Sequence, residues 1–274
     1  MAISMADIQH LRKMTGAGMM DCKNALTEAE GDFDKAIEII RKKGQAFAAK
    51  REDRDASEGC VLAATKGEFA AIVAVNCETD FVAMNGDFVG MTKSILEAAL
   101  ENKPADVDTL KTITVGDRTI AELVTDRMGV TGEKMELNIY EQISAPTVVA
   151  YVHPGNKLAS IVGFNKANVD EQVARDIAMQ IAAMNPVALL PEHVSEEIKQ
   201  RELSIAREKA IEAGKPENLL DKIAEGALQK FYKEFTLLQQ EFVKNPKQTI
   251  AQYLAANDKE LAVTGFKRYT LNAE

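Results

Sequence analysis

The residues with the most obvious capacity for chemistry are three cysteines, Cys22, Cys60 and Cys77. They are widely spaced and none belongs to a CxxC pair, so neither a zinc site nor a disulfide framework follows from them. Cys22 lies near a predicted helix start, where a thiolate can be stabilised. No histidine stands in a recognisable pairing with a cysteine or a serine, and small cysteines are usually buried. We therefore expect unreactive thiols in a reducing, cytosolic setting.

Two glycines and two methionines form the next candidate site. Gly16 and Gly18 have the spacing of a phosphate-binding loop, but they follow a helical pattern and lack the third glycine or the Lys-Ser/Thr that completes such loops. Turn glycines between two short helices explain them better. Met19 and Met20 point about 100° apart on a helix, so at least one of them is hard to bury in a small bundle. An exposed methionine pair indicates a contact surface.

A third set of candidate residues joins a predicted hairpin to the helix that follows it. Thr79 is a suitable N-cap, and Asp80 is a first-turn acid that interacts favourably with the helix dipole. One long helix is predicted from Thr79 to about Leu100. Its apolar positions form the row Phe81, Met84, Phe88, Met91, Ile95 and Ala99. From this periodicity alone, Phe81 is a core residue.

No pattern in the chain points to catalysis. Paired carboxylates, a metal-ligand cluster and a catalytic triad do not emerge from the sequence, so we expect no enzyme activity, no metal and no cofactor. The net charge of −9 disfavours nucleic acid as a partner, because such a surface repels phosphate groups. No apolar run reaches the roughly 20 residues that span a bilayer, and no signal peptide is recognisable. We expect a cytoplasmic protein without a membrane partner.

The elements that must position these residues begin with three short helices in the first 50 residues. Apolar spacings of three and four residues predict them, with breaks at residues 15–18 and 31–32. The basic stretch from Arg41 to Arg54 is interpreted as an exposed helical end that passes into a linker.

The middle of the chain has the pattern of a duplicated unit. Residues 59–65 and 69–76 predict a β-hairpin that precedes a helix, and residues 147–153 and 157–164 predict a second hairpin before a helix at 169–184. Each sheet should be covered by its helix on one face.

Between and after these units the pattern is less regular. Residues 119–127 predict a helix, and residues 135–143 predict a strand that extends the first sheet. At the C-terminal end, a short helix at 249–256 and a strand at 263–271 are predicted, and the strand can return to the second sheet.

Two charged helices, at residues 196–213 and 217–235, predict an antiparallel helical hairpin joined by Gly214-Lys215-Pro216. The second helix carries a broad apolar stripe, which must be buried against the first helix or another chain. We therefore expect that a homodimer can form through this hairpin.

Together these elements predict an α+β fold with an N-terminal three-helix bundle, a duplicated hairpin-plus-helix core and a protruding helical hairpin. The expected units are a helical domain at 1–54, a first core subdomain at 55–145, a second core subdomain at 146–194 and 236–274, and the hairpin at 195–235.

Two long motifs identify a resemblance. Residues 11–26, LRKMTGAGMMDCKNAL, closely resemble the N-terminal signature of the bacterial translation elongation factor Ts family, and residues 75–82, VNCETDFV, resemble its second signature. The likeness continues through QEFVK at 240–244 and VTGFKRY at 263–269. It implies a guanine nucleotide exchange factor for the GTPase elongation factor Tu, with a ubiquitin-associated-like N-terminal bundle and a coiled-coil dimerisation hairpin.

The resemblance also implies roles for single residues. Arg12, Met19 and Met20 match family positions that contact a helix of the GTPase. Asp80 and Phe81 match a pair that inserts between two helices of the G domain, near its magnesium site. Phe81 then belongs to a partner interface and not to the core.

The same motif implies that four residues help to dislocate Mg²⁺ from the partner: Thr79, Asp80, Phe81 and Val82. His153 resembles a contact residue in a loop of the second unit, although Pro154 and a missing second glycine distinguish this loop from the family pattern. Met84 stands where the family usually has Lys, Arg or Asn.

Two other classes of function remain open from the residues alone. One is a helical adaptor whose small bundle binds a partner helix, and the other is a cysteine-dependent enzyme. GDP release from elongation factor Tu distinguishes both from an exchange factor.

Overall fold

The computed structural model describes residues 3–51 and 53–272 and has the predicted α+β architecture. The helices are α1 (Met5–Thr15), α2 (Met19–Glu28), α3 (Phe33–Ala49), α4 (Asp80–Ala83), α5 (Gly86–Asn102), α6 (Val107–Thr112), α7 (Ile120–Thr131), α8 (Glu171–Met184), α9 (Glu196–Glu212), α10 (Glu217–Phe235) and α11 (Ile250–Asn257). The strands are β1 (Glu58–Lys66), β2 (Phe69–Cys77), β3 (Thr114–Val115), β4 (Arg118–Thr119), β5 (Met135–Ser144), β6 (Thr147–Val152), β7 (Leu158–Phe164), β8 (Glu241–Phe242), β9 (Asn245–Thr249) and β10 (Val263–Thr270).

The first three helices form the predicted bundle. Ser4 and Asp7 make a capping box at the start of α1, and Gly16 ends this helix with a φ of 72°, which a glycine adopts without strain. Leu11, Cys22 and Leu26 are fully buried in the small core between the helices. The glycines at 16 and 18 therefore belong to a turn, as the sequence indicates.

Helix α3 is longer than predicted and its basic end is not merely a solvated linker. It continues to Ala49 and crosses α7, where Gly44 is buried and lies against Gly129. A Cβ on Gly129 would lie 2.8 Å from the Gly44 Cα, so the two backbones meet without intervening side chains. The bundle is thus packed on the rest of the protein.

The first sheet has the order β1-β2-β5, with antiparallel pairing throughout. Alternate residues of β2 point to opposite faces. Val73 and Val75 pack with Phe88 and Ile95 of α5, whereas Ile72 faces the second sheet. The strand predicted at 135–143 therefore extends this sheet as expected.

The second sheet has the order β10-β7-β6, and α8 covers its outer face. Its inner face packs on the first sheet, with Ile161 and Ala159 against Val61 and Ile72. The result is a helix, sheet, sheet, helix arrangement. The return of the C-terminal strand β10 to this sheet agrees with the sequence prediction.

The prediction of a single long helix from Thr79 to about Leu100 is wrong. The chain forms the short α4 and then α5, separated by Asn85 in an extended conformation. The Asn85 side chain accepts hydrogen bonds from the backbone N–H groups of Asp87 and Phe88 and so begins a new helix. This break removes Phe81 and Met84 from the apolar row that Phe88 continues.

The segment between the two units contains α6 and a small β3-β4 hairpin that sequence patterning did not indicate. Helix α7 begins at the predicted position because Thr119 and Glu122 form a capping box, and it extends to Thr131. It lies under α3 and beside the first sheet.

The helical hairpin of α9 and α10 lies where it was predicted, and its base is held by buried Tyr232, Val194 and Ala188. In the described part of the chain, no helix is both long enough and apolar enough to cross a membrane.

Candidate functional site

The most unusual surface feature is the segment of residues 79–84, which we call the Phe81 turn. It consists of α4 with its two flanking residues, and Thr79 accepts a hydrogen bond from the backbone N–H of Val82 at 3.4 Å. Ala83 is buried and Val82 packs against the core, whereas Phe81 is 81% exposed and Met84 is 70% exposed. The core interpretation of Phe81 from periodicity is therefore wrong.

Thr79 is held from the opposite side by Glu133, which follows α7. The Thr79 backbone N–H donates to Glu133 Oε2 at 3.0 Å, and the Thr79 hydroxyl donates to Glu133 Oε1 at 2.6 Å. Cys77 Sγ also donates to the Thr79 carbonyl at 3.2 Å. The start of the Phe81 turn is thus fixed by both oxygens of one carboxylate.

Glu78, the residue before the turn, is held in the same way. Its carboxylate accepts from Arg51 Nη1 at 2.9 Å, from Arg54 Nη1 at 2.9 Å and from the Lys134 backbone N–H at 2.7 Å. Burial alone would raise the pKa of Glu78, but these hydrogen bonds and the positive charge of Arg54 outweigh it and lower the pKa to about 2. The end of α3 is thereby joined to the Phe81 turn.

His153 lies in the β6-β7 loop, which contacts β1 through the hydrogen bond from the Val61 backbone N–H to the Asn156 carbonyl. Its side chain is exposed, and Tyr151 Oη lies 3.0 Å from its Nδ1. In the same loop, Lys157 Nζ pairs with Glu58 Oε2 at 2.8 Å. The hydrogen bond and charge of Glu58 raise the pKa of Lys157, and the charge of Asp80 adds to this effect.

The predicted contact residues of the bundle lie around the α1-α2 turn. Arg12 is exposed and Met20 is 64% exposed, but Met19 is half-buried and packs against the bundle core. The expectation of an exposed methionine pair therefore holds for Met20 only. Gly16 in the turn lies next to Val130 of α7, so this surface and the Phe81 turn both rest on that helix or its end.

The three cysteines have no environment that favours a thiolate. All are buried and unbridged. Burial raises the pKa of Cys22, and it raises the pKa of Cys60 to about 11. For Cys77, burial and then the charge of Glu133 raise the pKa to about 12. Over residues 3–51 and 53–272, no group of three or more His, Cys, Asp or Glu side chains could hold a metal ion.

Sequence reasoning missed the residues that hold the turn. Glu133 and Lys134 lie more than 50 residues from Thr79 and Glu78, and they follow a helix whose end was placed too early. The basic residues Arg51 and Arg54 were interpreted as linker. The one sequence feature that could have indicated their partner, Glu78, is the net positive charge of that stretch.

The fold and the site define an α+β protein that exposes a phenylalanine on a short helical turn and a methionine on an N-terminal helical bundle. Residues 78–273 match the family described as Elongation factor TS. Over the full length of both chains, this protein is 64% identical to "Elongation factor Ts" of Porphyromonas gingivalis, 60% to that of Azobacteroides pseudotrichonymphae and 47% to that of Bacteroides thetaiotaomicron. The chain belongs to the elongation factor Ts family, which acts in translation elongation.

Proposed function

We propose that this protein is a guanine nucleotide exchange factor that promotes GDP release from elongation factor Tu, and that it acts through binding and not as an enzyme. The observation that carries the proposal is Phe81, which is 81% exposed on a turn whose first residue, Thr79, is held by the Glu133 carboxylate. The residue before the turn, Glu78, is held by Arg51 and Arg54. Phe81 and Met84, which is 70% exposed, give this turn an apolar surface that a partner can cover.

The proposed mechanism uses the binding energy of the Phe81 turn. Asp80 and Phe81 insert between two helices of the partner's G domain, and residues 79–82 displace its Mg²⁺. Burying a phenylalanine side chain contributes about 1.5–3 kcal/mol, which is available to offset the lost Mg²⁺ and phosphate contacts. Linkage makes the effect reciprocal, so nucleotide weakens binding of the factor as much as the factor weakens binding of nucleotide.

Docking is assigned to the N-terminal bundle. Arg12 and Met20 supply an exposed cation and an exposed apolar side chain for a helix of the partner, and Met19 supports them from its half-buried position. His153, exposed in the β6-β7 loop, is a further contact with the same partner. Each role then belongs to a different part of the chain. Docking belongs to the bundle at 1–54, and exchange to the core subdomains at 55–145 and at 146–194 with 236–274. Self-association belongs to the helical hairpin at 195–235.

The alternative is a helical adaptor that uses only the bundle. In that case the partner would bind the Arg12 and Met20 surface, and Phe81 would have no role. The tight fixation of the Phe81 turn favours the exchange factor, because an adaptor gives no reason for holding an exposed phenylalanine in one place.

The experiment is release of labelled GDP from purified elongation factor Tu in the presence of excess unlabelled nucleotide. We expect micromolar factor to accelerate release strongly, with a rate that saturates as the factor concentration rises. No acceleration at micromolar concentrations would overturn the proposal.

A further inference from the structure

We propose that Glu133 is a positioning residue for the Phe81 turn and sets the rate of nucleotide release without touching the nucleotide. This inference rests on the proposed function. The two hydrogen bonds from Thr79 to Glu133, at 2.6 and 3.0 Å, are the observation behind it.

The first step concerns the weakness of α4 itself. A helix of four residues is not stable by its own hydrogen bonds, because the conformational entropy lost in forming the first turn exceeds the free energy that its hydrogen bonds contribute. Its N-cap is Thr79, whose hydroxyl oxygen also accepts from the Val82 backbone N–H. Glu133 Oε1 accepts a hydrogen bond from the Thr79 hydroxyl, which orients the lone pairs of that oxygen towards the helix start.

The second step concerns how few other contacts orient Phe81. The side chain is 81% exposed, so its direction follows from the backbone of the turn. Val82 and Ala83 secure the inner side of the turn by packing, but they follow Phe81 in the chain. On the preceding side, Glu133 is the group that holds the Thr79 amide and hydroxyl.

The third step is the reciprocal connection between two loops. Glu133 accepts from Thr79, and the next residue, Lys134, donates its backbone N–H to Glu78 at 2.7 Å. The loop after α7 and the loop before α4 therefore exchange hydrogen bonds in both directions. Since α3 and the α1-α2 turn also pack on α7, Glu133 fixes Phe81 relative to the docking surface.

The expected consequence is a change in rate more than in affinity. If the turn is loosened, the bundle still docks, but Phe81 reaches its productive position less often. A positional error of about 1 Å in such a site costs up to a hundredfold in rate. We expect Glu133→Ala to lower the maximal GDP release rate about tenfold or more and to change the half-saturating factor concentration about twofold or less.

The test measures labelled GDP release over a range of factor concentrations for Glu133→Ala, Glu133→Gln and Glu136→Gln. Glu133→Gln keeps one acceptor oxygen and should give an intermediate rate. Glu136 is the matched control because it lies in the adjacent strand and pairs with Lys134 at 2.8 Å, but makes no hydrogen bond to the turn. Thermal unfolding of each variant verifies that it is folded at the assay temperature. If Glu133→Ala is unfolded at that temperature, the rate of Glu133→Gln decides the test.

Each variant is also made in a Phe81→Ala background. If Glu133 acts by positioning Phe81, its removal should have little further effect once Phe81 is absent, and the two losses should not add.

The outcomes separate this inference from the proposed function. A slow Phe81→Ala factor with an unchanged maximal rate for folded Glu133→Ala would overturn the positioning role alone. Losses that add fully in the double variant would also overturn it. A Phe81→Ala factor as fast as the unaltered protein would instead overturn the proposed exchange mechanism.

Discussion

At the scale of single residues, Glu78 carries the greatest density of charged contacts beside the Phe81 turn. Its side chain is only 14% exposed and accepts from two arginines and a backbone N–H. Hydrogen bonds of this kind to a charged group contribute about 1.5–3 kcal/mol where they are shielded from water. Glu78 therefore joins the end of α3 to the turn by electrostatics as well as by geometry.

The first prediction concerns acid sensitivity. The pKa of Glu78 is lowered from 4.5 to about 2 in the folded protein, so its stabilising contribution is complete above pH about 4.5 and is lost as pH falls towards 2. Glu78→Gln should lower the free energy of unfolding by about 1.5–3 kcal/mol at pH 7. The difference from the unaltered protein should shrink as pH falls below 4.5.

Urea unfolding at pH 7, 4 and 3 measures this difference. Glu97→Gln is the control, because Glu97 is exposed and its nearest lysine, Lys93, lies 3.9 Å away. Equal stabilities at pH 7, or a difference that stays constant down to pH 3, would contradict the interpretation.

Residue types and spacing predicted part of this site. The motif of residues 75–82 marked Thr79, Asp80 and Phe81 through the family resemblance, and Thr79 is an N-cap as expected. The helical period placed Phe81 in the core, because a period does not reveal that a helix stops after four residues. Asn85 is a recognisable N-cap residue, and its side chain is the local signal that the pattern restarts.

At the scale of elements, the α1-α2 turn places its two methionines in different environments. Met20→Ala should weaken complex formation with elongation factor Tu about tenfold and leave stability within about 0.5 kcal/mol, as for a surface substitution. Met19→Ala should instead destabilise the bundle by about 1–2 kcal/mol, because Met19 is half-buried. Calorimetric titration and thermal unfolding of both variants test this. A destabilised Met20→Ala bundle would mean that this surface is part of the core.

The crossing of α3 and α7 gives a second prediction at this scale. Gly129→Ala would bring a Cβ to 2.8 Å from the Gly44 Cα, so the helices must move apart. Overpacking destabilises a protein by about 1–3 kcal/mol, whereas replacing a helical Gly with Ala stabilises the helix by about 1 kcal/mol. The free energy of unfolding of the variant should therefore be lower.

Gly90→Ala is the matched control for this crossing. It lies in α5 with nothing within 4 Å of an added Cβ, and it should be more stable by about 0.5–1 kcal/mol. Urea unfolding compares the two variants. A Gly129→Ala protein that is as stable as Gly90→Ala would show that the close crossing is not required.

Strong periodicity made most elements predictable. Both hairpins, α8, the two helices of the helical hairpin and the final strand begin and end within a few residues of their predicted positions. The β3-β4 hairpin and α6 were missed because they are too short to show a period. The packing of α3 on α7 depends on two glycines about 85 positions apart in the chain, and no local pattern connects them.

At the scale of the whole molecule, the two sheets pack face to face and place the β6-β7 loop beside β1. The Val61 backbone N–H donates to the Asn156 carbonyl at 2.7 Å across this junction. Duplication of the unit was visible in the sequence, but this packing was not, because the inner faces of both sheets are made of small and branched residues that fit many arrangements. The junction places the β6-β7 loop, which carries His153, against β1, the strand that pairs with β2 before the Phe81 turn.

Self-association is a prediction about the assembled protein. Leu219 and Phe235 in the apolar stripe of α10 are 41% and 36% exposed, so this stripe is only partly covered within one chain. Ile205 and Ile211 of α9 are also exposed, at 37% and 56%. Replacing residues 200–226 with a short Gly-Ser linker keeps buried Tyr232 at the hairpin base and should give a folded monomer. Sedimentation at high concentration compares it with the full protein, and a monomeric full protein would contradict the prediction.

The central claim is that exposed Phe81 drives nucleotide release. Truncation of a buried phenylalanine costs about 3–5 kcal/mol, whereas a surface substitution changes stability by about 0.5 kcal/mol or less. The most direct test is GDP release from elongation factor Tu at saturating factor, with thermal unfolding measured on the same Phe81→Ala preparation. We predict a variant as stable as the unaltered protein that no longer accelerates GDP release substantially. A variant that keeps full acceleration per folded molecule would contradict the account.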